Sequence, residues 1–517
     1  MKNLKVGIIG AGIQGVCSAL FLQKKGFQVT LFDRDEPGSG ASYGNAGHFS
    51  PYGSVPLNRM DVLTDVPAML ISSRGPLALK WNYVFKMIPW FFKFFLNCSK
   101  KNMKHTAKYM NQILDLSLPA FDELFEEIDL ENLVEKKGIM YIWDNKNLKS
   151  RELEIKLREE LGVKQRLLSP KEIHDLEPNI KPFYHGGVFY NYARHTRNPK
   201  KILTKLFDLF IEKGGKFSKL NIKDIEFDDK LPILISEAQR FKFDKILITC
   251  GAFSKKFTDK LYENIPLDTE RGYHVHFKGF DHLLSRPVVY ANRGFGITPM
   301  EQGLRVVGTV EFGGLDNPLT KSRIKNLILN ANDMLDGLPP HEDEWIGFRP
   351  SLPDFLPVLG PSKHHENVFY SFGHHHLGWT LGAVSGKIIS KMMANEKSNL
   401  DLKLDTRCTP FSKFTFISPS DIFISSSSPK IFLIKISFLS AKNPKFTFLK
   451  LKLFCRSTFN PFIVPLAIKS LNEPFSVKKI STSEINLPSF ILLFSKLLKF
   501  EGLIICDNLF NCTISNS

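Results

Sequence analysis

The chain reads as a mixed α/β protein built around a Rossmann-like nucleotide-binding domain, and three observations carry that reading. The first is the order strand, glycine turn, helix, strand, acid within the first 33 residues. The second is a later apolar strand, Phe243 to Ile248, ending in the small-residue turn Thr249-Cys250-Gly251-Ala252. The third is an alternation of helical and strand patterns that runs to about residue 400 and then stops.

Taken in order, Leu4 to Ile9 is a short apolar run of buried-strand type. It turns through Gly10-Ala11-Gly12-Ile13-Gln14-Gly15 into a helical pattern (Val16, Ala19, Leu20) that closes near Gly26. Gln28 to Phe32 is a second strand, stopping at Asp33, 21 residues beyond Gly12. In a dinucleotide-binding βαβ unit Gly10 permits the tight turn, Gly12 lets a pyrophosphate approach the backbone, and Gly15 lets helix and strand pack closely. The helix N-terminus offers N–H groups and a positive dipole end to phosphate, and Asp33 can accept ribose hydroxyls. Taken alone, these residues also suit an NAD-dependent dehydrogenase.

Residues 60 to 135 carry a helical period (Met110, Leu114, Leu118, Phe121), and Gly138 to Ile142 reads as a strand. Ser169-Pro170-Lys171-Glu172 is a helix start. A helix from Pro199 to Gly214 leads into a strand at Lys216–Phe217, and residues 265 to 345 are strand-rich. Phe369 to Met392 gives strand, Gly/His-rich loop and helix. From Thr415 onward there is one glycine, Gly502, and no sustained period. That segment reads as an irregular or disordered extension, of read-through type, with a membrane-associating appendage as the competing reading.

The net charge of +17 is dispersed without a block of five like charges, which argues against a nucleic-acid groove. Seven cysteines lacking any C-x-x-C pair indicate reduced thiols and a cytoplasmic setting. The first strand begins almost at Met1, which leaves no room for a signal peptide. Trp81 to Leu96 is strongly aromatic but too short to span a bilayer, and Lys86, Pro89 and Lys93 interrupt it. It is compatible with a peripheral place on the inner face of the membrane and equally with a buried helix.

Among polar candidates, the loop Gly40 to His48 suits close approach to a flat ligand. The turn Gly347-Phe348-Arg349-Pro350 presents one arginine, able to grip a carboxylate through two parallel hydrogen bonds. Arg271 and Tyr273 could add a cation and a phenol. His374-His375-His376 invites a metal, but adjacent loop residues rarely converge on one ion, so no metal is expected.

In this order, GAGIQG with Asp33, SYGNAG, LITCGAFS, PLDTERGYH, VVGTVEFGG, WIGFRPSLPDFLPVLG and GHHHLGWTLG resemble the D-amino-acid oxidase-like flavoprotein family. Within it they are most similar to the branch of bacterial D-amino acid dehydrogenase small subunits. The resemblance spans roughly residues 4 to 414. It implies FAD bound noncovalently by a discontinuous domain (1–60, 165–260, 345–400), with an α+β substrate domain (61–164, 261–344) on a mixed sheet and residues 415–517 as the appendage. It places the pyrophosphate at Gly10, Ala11, Gly12, Ile13, Gln14 and Gly15, with Cys250 and Gly251 nearby, and the ribose at Asp33 and Arg34. Ser42, Asn45, Ala46 and Gly47 fall toward the middle and flavin end. Gly373, Leu377, Gly378, Trp379 and Thr380 fall near the isoalloxazine. Arg349 carries over as the substrate-carboxylate grip, with Tyr273 and His375 as further catalytic candidates.

The implied reaction is oxidative deamination of a D-amino acid or cyclic imino acid, with electrons passed to a quinone-type acceptor. An oxygen-using glycine, sarcosine or D-amino acid oxidase, a hydroxyproline dehydrogenase, and a non-catalytic nucleotide-binding module remain as alternatives. Oligomeric state is not legible.

Overall fold

The computed structural model describes residues 3–144, 149–396, 432–440, 446–455 and 458–469. The chain forms two compact units, Met1–Ser412 and Lys413–Ser517.

In the first unit the strand Lys5–Ile9 lies inside a six-stranded sheet. Gln28–Asp33 and Lys216–Lys219 lie to one side, and Lys245–Ile248, Val368–Phe372 and Val358–Pro361 to the other. All pairings are parallel except that of the last strand. Parallel sheets are covered on both faces, so their strands carry unbroken apolar runs. Val6, Ile8, Leu31, Ile246, Leu247 and Ile248 are accordingly all fully buried. The helix Ile13–Lys24 follows the glycine turn, and the helix Gly382–Met393 crosses it so closely that a Cβ on Gly386 would lie 2.8 Å from the Cys17 backbone.

Local signals set the other boundaries. Ser169 and Glu172 form a reciprocal capping box on Pro170–Leu176. Asn198 caps Pro199–Glu212 with Pro199 in its first turn. The expected helical stretch contains Met60–Ile71, Trp81–Asn97, Lys100–Leu114 and Ser117–Phe125. No helix among the described residues is long and apolar enough to cross a membrane.

A larger mixed sheet runs in the order Glu342–Ser351, Asp268–Lys278, Gly303–Phe312, Phe295–Met300, Val288–Tyr290, Ile139–Trp143, Gly186–Tyr190, Arg166–Leu168. Leu77–Leu79 pairs beside Gly303–Phe312. One face of this sheet packs Tyr273, Val275, Phe277, Ile297 and Val306 with Ile324, Leu327 and Ala331 of the helix Lys321–Met334. That helix lies within the strand-rich stretch 265–345. The opposite face turns to the nucleotide loops through Arg305, which donates to Tyr43 O and Asn45 O, both at 3.0 Å.

The segment boundaries differ from the sequence expectation in two places. Arg166–Leu168 and Gly186–Tyr190, inside the stretch 165–260, bond into the larger sheet, and so does Glu342–Ser351. In the second unit Phe432–Ser440, Phe446–Cys455 and Thr458–Lys469 form an antiparallel three-stranded meander, where no sustained strand period was expected. The rest of the proposed extension lies outside the described residues.

Candidate active site

The glycine turn is a cradle that side chains would fill. Gly10 has φ +108° and a Cβ there would lie 2.8 Å from Thr249 O. A Cβ on Gly15 would lie 1.8 Å from Gly10 O, and one on Gly12 would lie 3.2 Å from Ser42 Oγ. Gly12 is the helix N-cap and contributes no side-chain cap, so the first-turn amides face the loop. Asp33 accepts the Ala11 N–H at 2.7 Å and the Asp35 N–H at 3.1 Å. Burial raises its pKa, and these two N–H groups offset part of the rise. Arg34 is more exposed, pairs with Asp35 at 3.1 Å and stacks over Phe253 at 4.2 Å. The Cys250 thiol donates to Ile9 O at 3.1 Å, and Gly251 follows at φ +56°.

Three loops converge beside this turn. Gln14 Nε2 donates to Gly378 O at 2.8 Å, tying the phosphate turn to the His-rich loop. Ser42 Oγ accepts the Ile13 N–H at 3.0 Å. Asn45 ties its own loop, donating to Ser42 O and accepting the Gly47 N–H, both at 2.7 Å. Ala46 sits inside that tie, and Gly47 has φ +71°, where a Cβ would lie 2.6 Å from Thr196 O. The Thr380 hydroxyl accepts the Ser50 N–H at 2.9 Å and donates to His48 O at 3.2 Å. Gly373 (φ +85°) starts the loop, and Leu377 packs on Gly53. The Trp379 indole N–H is buried with no hydrogen-bond partner among the described residues. Bare glycine backbone, helix amides and an unpartnered indole donor fit a pyrophosphate followed by a flat heteroaromatic ring.

Arg349 lies where the two sheets approach. Its strand pairs with Asp268–Lys278 so that Arg349 stands opposite Glu270. Nη1 donates to Thr309 O at 2.9 Å, and Nη2 lies 2.4 Å from where a Cβ on Gly272 would sit. Among the described residues this is its one hydrogen bond, so most of its five donors remain for a ligand. Burial lowers the Arg349 pKa while Glu270 raises it, and Glu270 is itself pushed up by burial and pulled back by Arg349. Gly272→Ala is therefore expected to displace the guanidinium. It should raise KM for a carboxylate substrate roughly tenfold, about 1.4 kcal/mol, with bound-cofactor absorbance unchanged; an unaltered KM would detach Gly272 from the site.

The histidine triplet diverges. His374 Nε2 lies 3.0 Å from Ser385 Oγ. His375, at φ +51°, accepts the Leu352 N–H on Nε2 at 3.2 Å and stacks on Phe355 at 4.2 Å. The ring nitrogen that would serve as a base is thus engaged. His376 borders a recess with Gly53, Val55, Phe355 and Pro357, and enclosure of its ring there, followed by the Arg349 charge, lowers its pKa. Among the described residues no group of three His, Cys, Asp or Glu is placed to hold a metal.

Two sequence candidates need correction. Tyr273 is one residue out of phase with Gly272 and so faces the opposite side of the sheet, fully buried in the core. Arg271 shares that side, where it pairs with Glu311 at 3.2 Å and is 0% exposed. Sequence reasoning gave no role to Glu270, Gly272 or Thr309, and it weighed His376 only within the triplet. Glu270 and Gly272 could have been found by alternation once the strand pairing was known, whereas Thr309 acts through its backbone oxygen.

A nucleotide sheet parallel but for its last strand, a glycine cradle and an arginine on a second, mixed sheet define a dinucleotide-dependent oxidoreductase. A family profile described as FAD dependent oxidoreductase (DAO) matches residues 5–392, and the chain belongs to that family. It is 30% identical over 421 residues to a D-amino-acid oxidase of Bradyrhizobium diazoefficiens, covering 80% of this chain and 99% of that one. It is 26% identical over 408 residues to a D-amino acid dehydrogenase of Neisseria gonorrhoeae, covering 77% and 97%. The solved glycine oxidase of Geobacillus kaustophilus superposes with a TM-score of 0.61 at 20% identity, over 81% of this chain and all of that one, which shows the shared fold. The cofactor is FAD, as the sequence resemblance implied.

Proposed function

We propose that this protein oxidatively deaminates a D-amino acid, or the cyclic imino acid counterpart, to the 2-oxo acid or imine. The observation that carries the proposal is Arg349, a nearly unengaged guanidinium facing the cofactor loops from a rigid strand. The relatives named for D-amino acids support the substrate class.

Gly10 to Gly15, with Asp33 at the ribose, would hold the dinucleotide, and Ser42 to Gly47 with Gly373 to Thr380 would hold its flavin end. Bound FAD supplies the hydride acceptor. Arg349 fixes the substrate carboxylate by a two-point contact, which leaves only the orientation about Cα to be set by the pocket walls. Glu270 behind it tempers the buried cation. His376, neutral at physiological pH, adds no second positive charge to repel the substrate amino group. Loss of hydride from Cα gives an imine, which water converts to the oxo acid and ammonia.

Anaerobic mixing of the FAD-loaded protein with D- and L-amino acids, glycine, sarcosine and proline isomers tests this. Bleaching of the flavin band by D-amino acids is the expected result, and no bleaching by any of them overturns it.

For the acceptor, a membrane quinone and a peripheral site on the inner membrane face are the reading we favour, supported by the aromatic helix Trp81–Asn97. Oxygen is the second reading, supported by the relative named as an oxidase. Stopped-flow reoxidation by a soluble quinone at least tenfold faster than by air-saturated buffer, about 1.4 kcal/mol in barrier, is expected. Faster reoxidation by oxygen would favour the second.

A further inference from the structure

The helix Trp81–Asn97 buries only Met87 and Trp90. Its outward side carries Trp81, Phe85, Ile88 and Phe92, which are 57%, 64%, 54% and 53% exposed. Steps of four, three and four residues align these four on one stripe, about 16 Å long at 1.5 Å per residue. The helix Met60–Ile71, earlier in the chain, likewise buries no residue and exposes Met60 and Ile71. Contiguous apolar surface of this kind marks an interaction site.

Charge identifies the partner. From Lys80 to Leu114 the chain has seven lysines and no aspartate or glutamate. Lys86 and Lys93, seven residues apart, run along one flank of the stripe, and exposed Lys100 and Lys101 begin the next helix. On the helix Met60–Ile71 Asp61 is paired to Arg59, and the exposed Asp65 is outnumbered by these lysines. Aromatic residues beside lysines, on a helix too short and interrupted to cross, suit the headgroup boundary of an anionic bilayer. The inner side of the same helix touches the wall of the active site. The Trp90 indole donates to Ser351 O at 3.3 Å, two residues past Arg349, and the Tyr83 hydroxyl bonds Asp268 at 3.0 Å, two residues before Glu270.

We propose that the exposed face of Trp81–Asn97 lies in an anionic lipid surface and brings the active site to an acceptor dissolved there. As an electron route this rests on the quinone reading above; as a lipid contact it is tested apart from it. The full-length FAD-loaded protein should sediment with phosphatidylglycerol vesicles at least roughly tenfold more tightly than with phosphatidylcholine vesicles. Brominated lipids should quench Trp81, read as fluorescence that the Trp81→Tyr variant does not lose. Phe85→Ser/Phe92→Ser and Lys86→Glu/Lys101→Glu should each weaken binding roughly tenfold. Flavin content and turnover with a soluble dye should be unchanged. Equal binding of wild type and variants would place lipid contact elsewhere in the chain and overturn the proposal. A wild-type dimer that Phe85→Ser/Phe92→Ser dissociates, without vesicle binding, would assign the face to a second copy and overturn it too. Vesicle binding without quinone reduction would sink the acceptor reading and leave the lipid surface standing.

Discussion

Arg349→Ala is expected to lower kcat/KM for the preferred amino acid by about 30- to several-thousand-fold while the protein stays yellow. The range follows from roughly 2–5 kcal/mol lost when one member of a buried charge pair is removed. Part of that loss is the substrate carboxylate left without a partner, and part is Glu270, which would face the pocket without its cation. Arg349→Lys should recover only a fraction, because an ammonium cannot reproduce a two-point grip. Turnover unchanged in the alanine variant would remove Arg349 from the site.

A steep loss of stability below pH 6.5 is the second large effect. Burial lowers the pKa of His48 to about 4, and that of His195, His274 and His374 to about 3. In the unfolded chain each imidazole takes up a proton near pH 6.5; in the folded chain none of these does so until far lower pH. The unfolded state therefore binds more protons between about pH 6.5 and 4. Stability is complete above 6.5 and falls as pH drops, by about 1.4 kcal/mol per unit for each imidazole. Four together approach the whole stability of a typical domain within one or two units. Asp33, Asp268 and Glu270, whose pKa values burial raises, bind protons earlier in the folded state and offset some of the fall in the carboxylate range. Melting temperature against pH from 7.5 to 5 checks this; a flat profile would show that these rings are protonated, or exposed, in the native state.

The nucleotide half of the site was legible because its demands are local. Only glycine fits where Gly15 touches Gly10 O, and only a short acidic side chain at the end of the second strand reaches the Ala11 amide. The substrate half was legible at Arg349 but not around it, and even there the expected turn Gly347 to Pro350 is in fact part of the strand Glu342–Ser351, held by pairing with Asp268–Lys278. Glu270 and Gly272 come to Arg349 through a strand register set by residues far away in the chain, and no local pattern encodes that pairing. Tyr273 was misplaced for the same reason, since a single step along a strand reverses the side. In the triplet, a left-handed turn at His375 sends three adjacent rings to three different neighbours, which no spacing rule could anticipate.

The order of strands in the nucleotide sheet has a consequence for biosynthesis. Lys5–Ile9 leaves the ribosome early, but its neighbour Lys245–Ile248 follows some 240 residues later and Val368–Phe372 later still. The nascent chain therefore holds only two of the six strands, with an open parallel edge beside Lys5–Ile9, until nearly half of it has been made. The complete flavin cradle, which needs Val368–Phe372 and the loop Gly373 to Thr380, can form only after about three-quarters of the chain has been made.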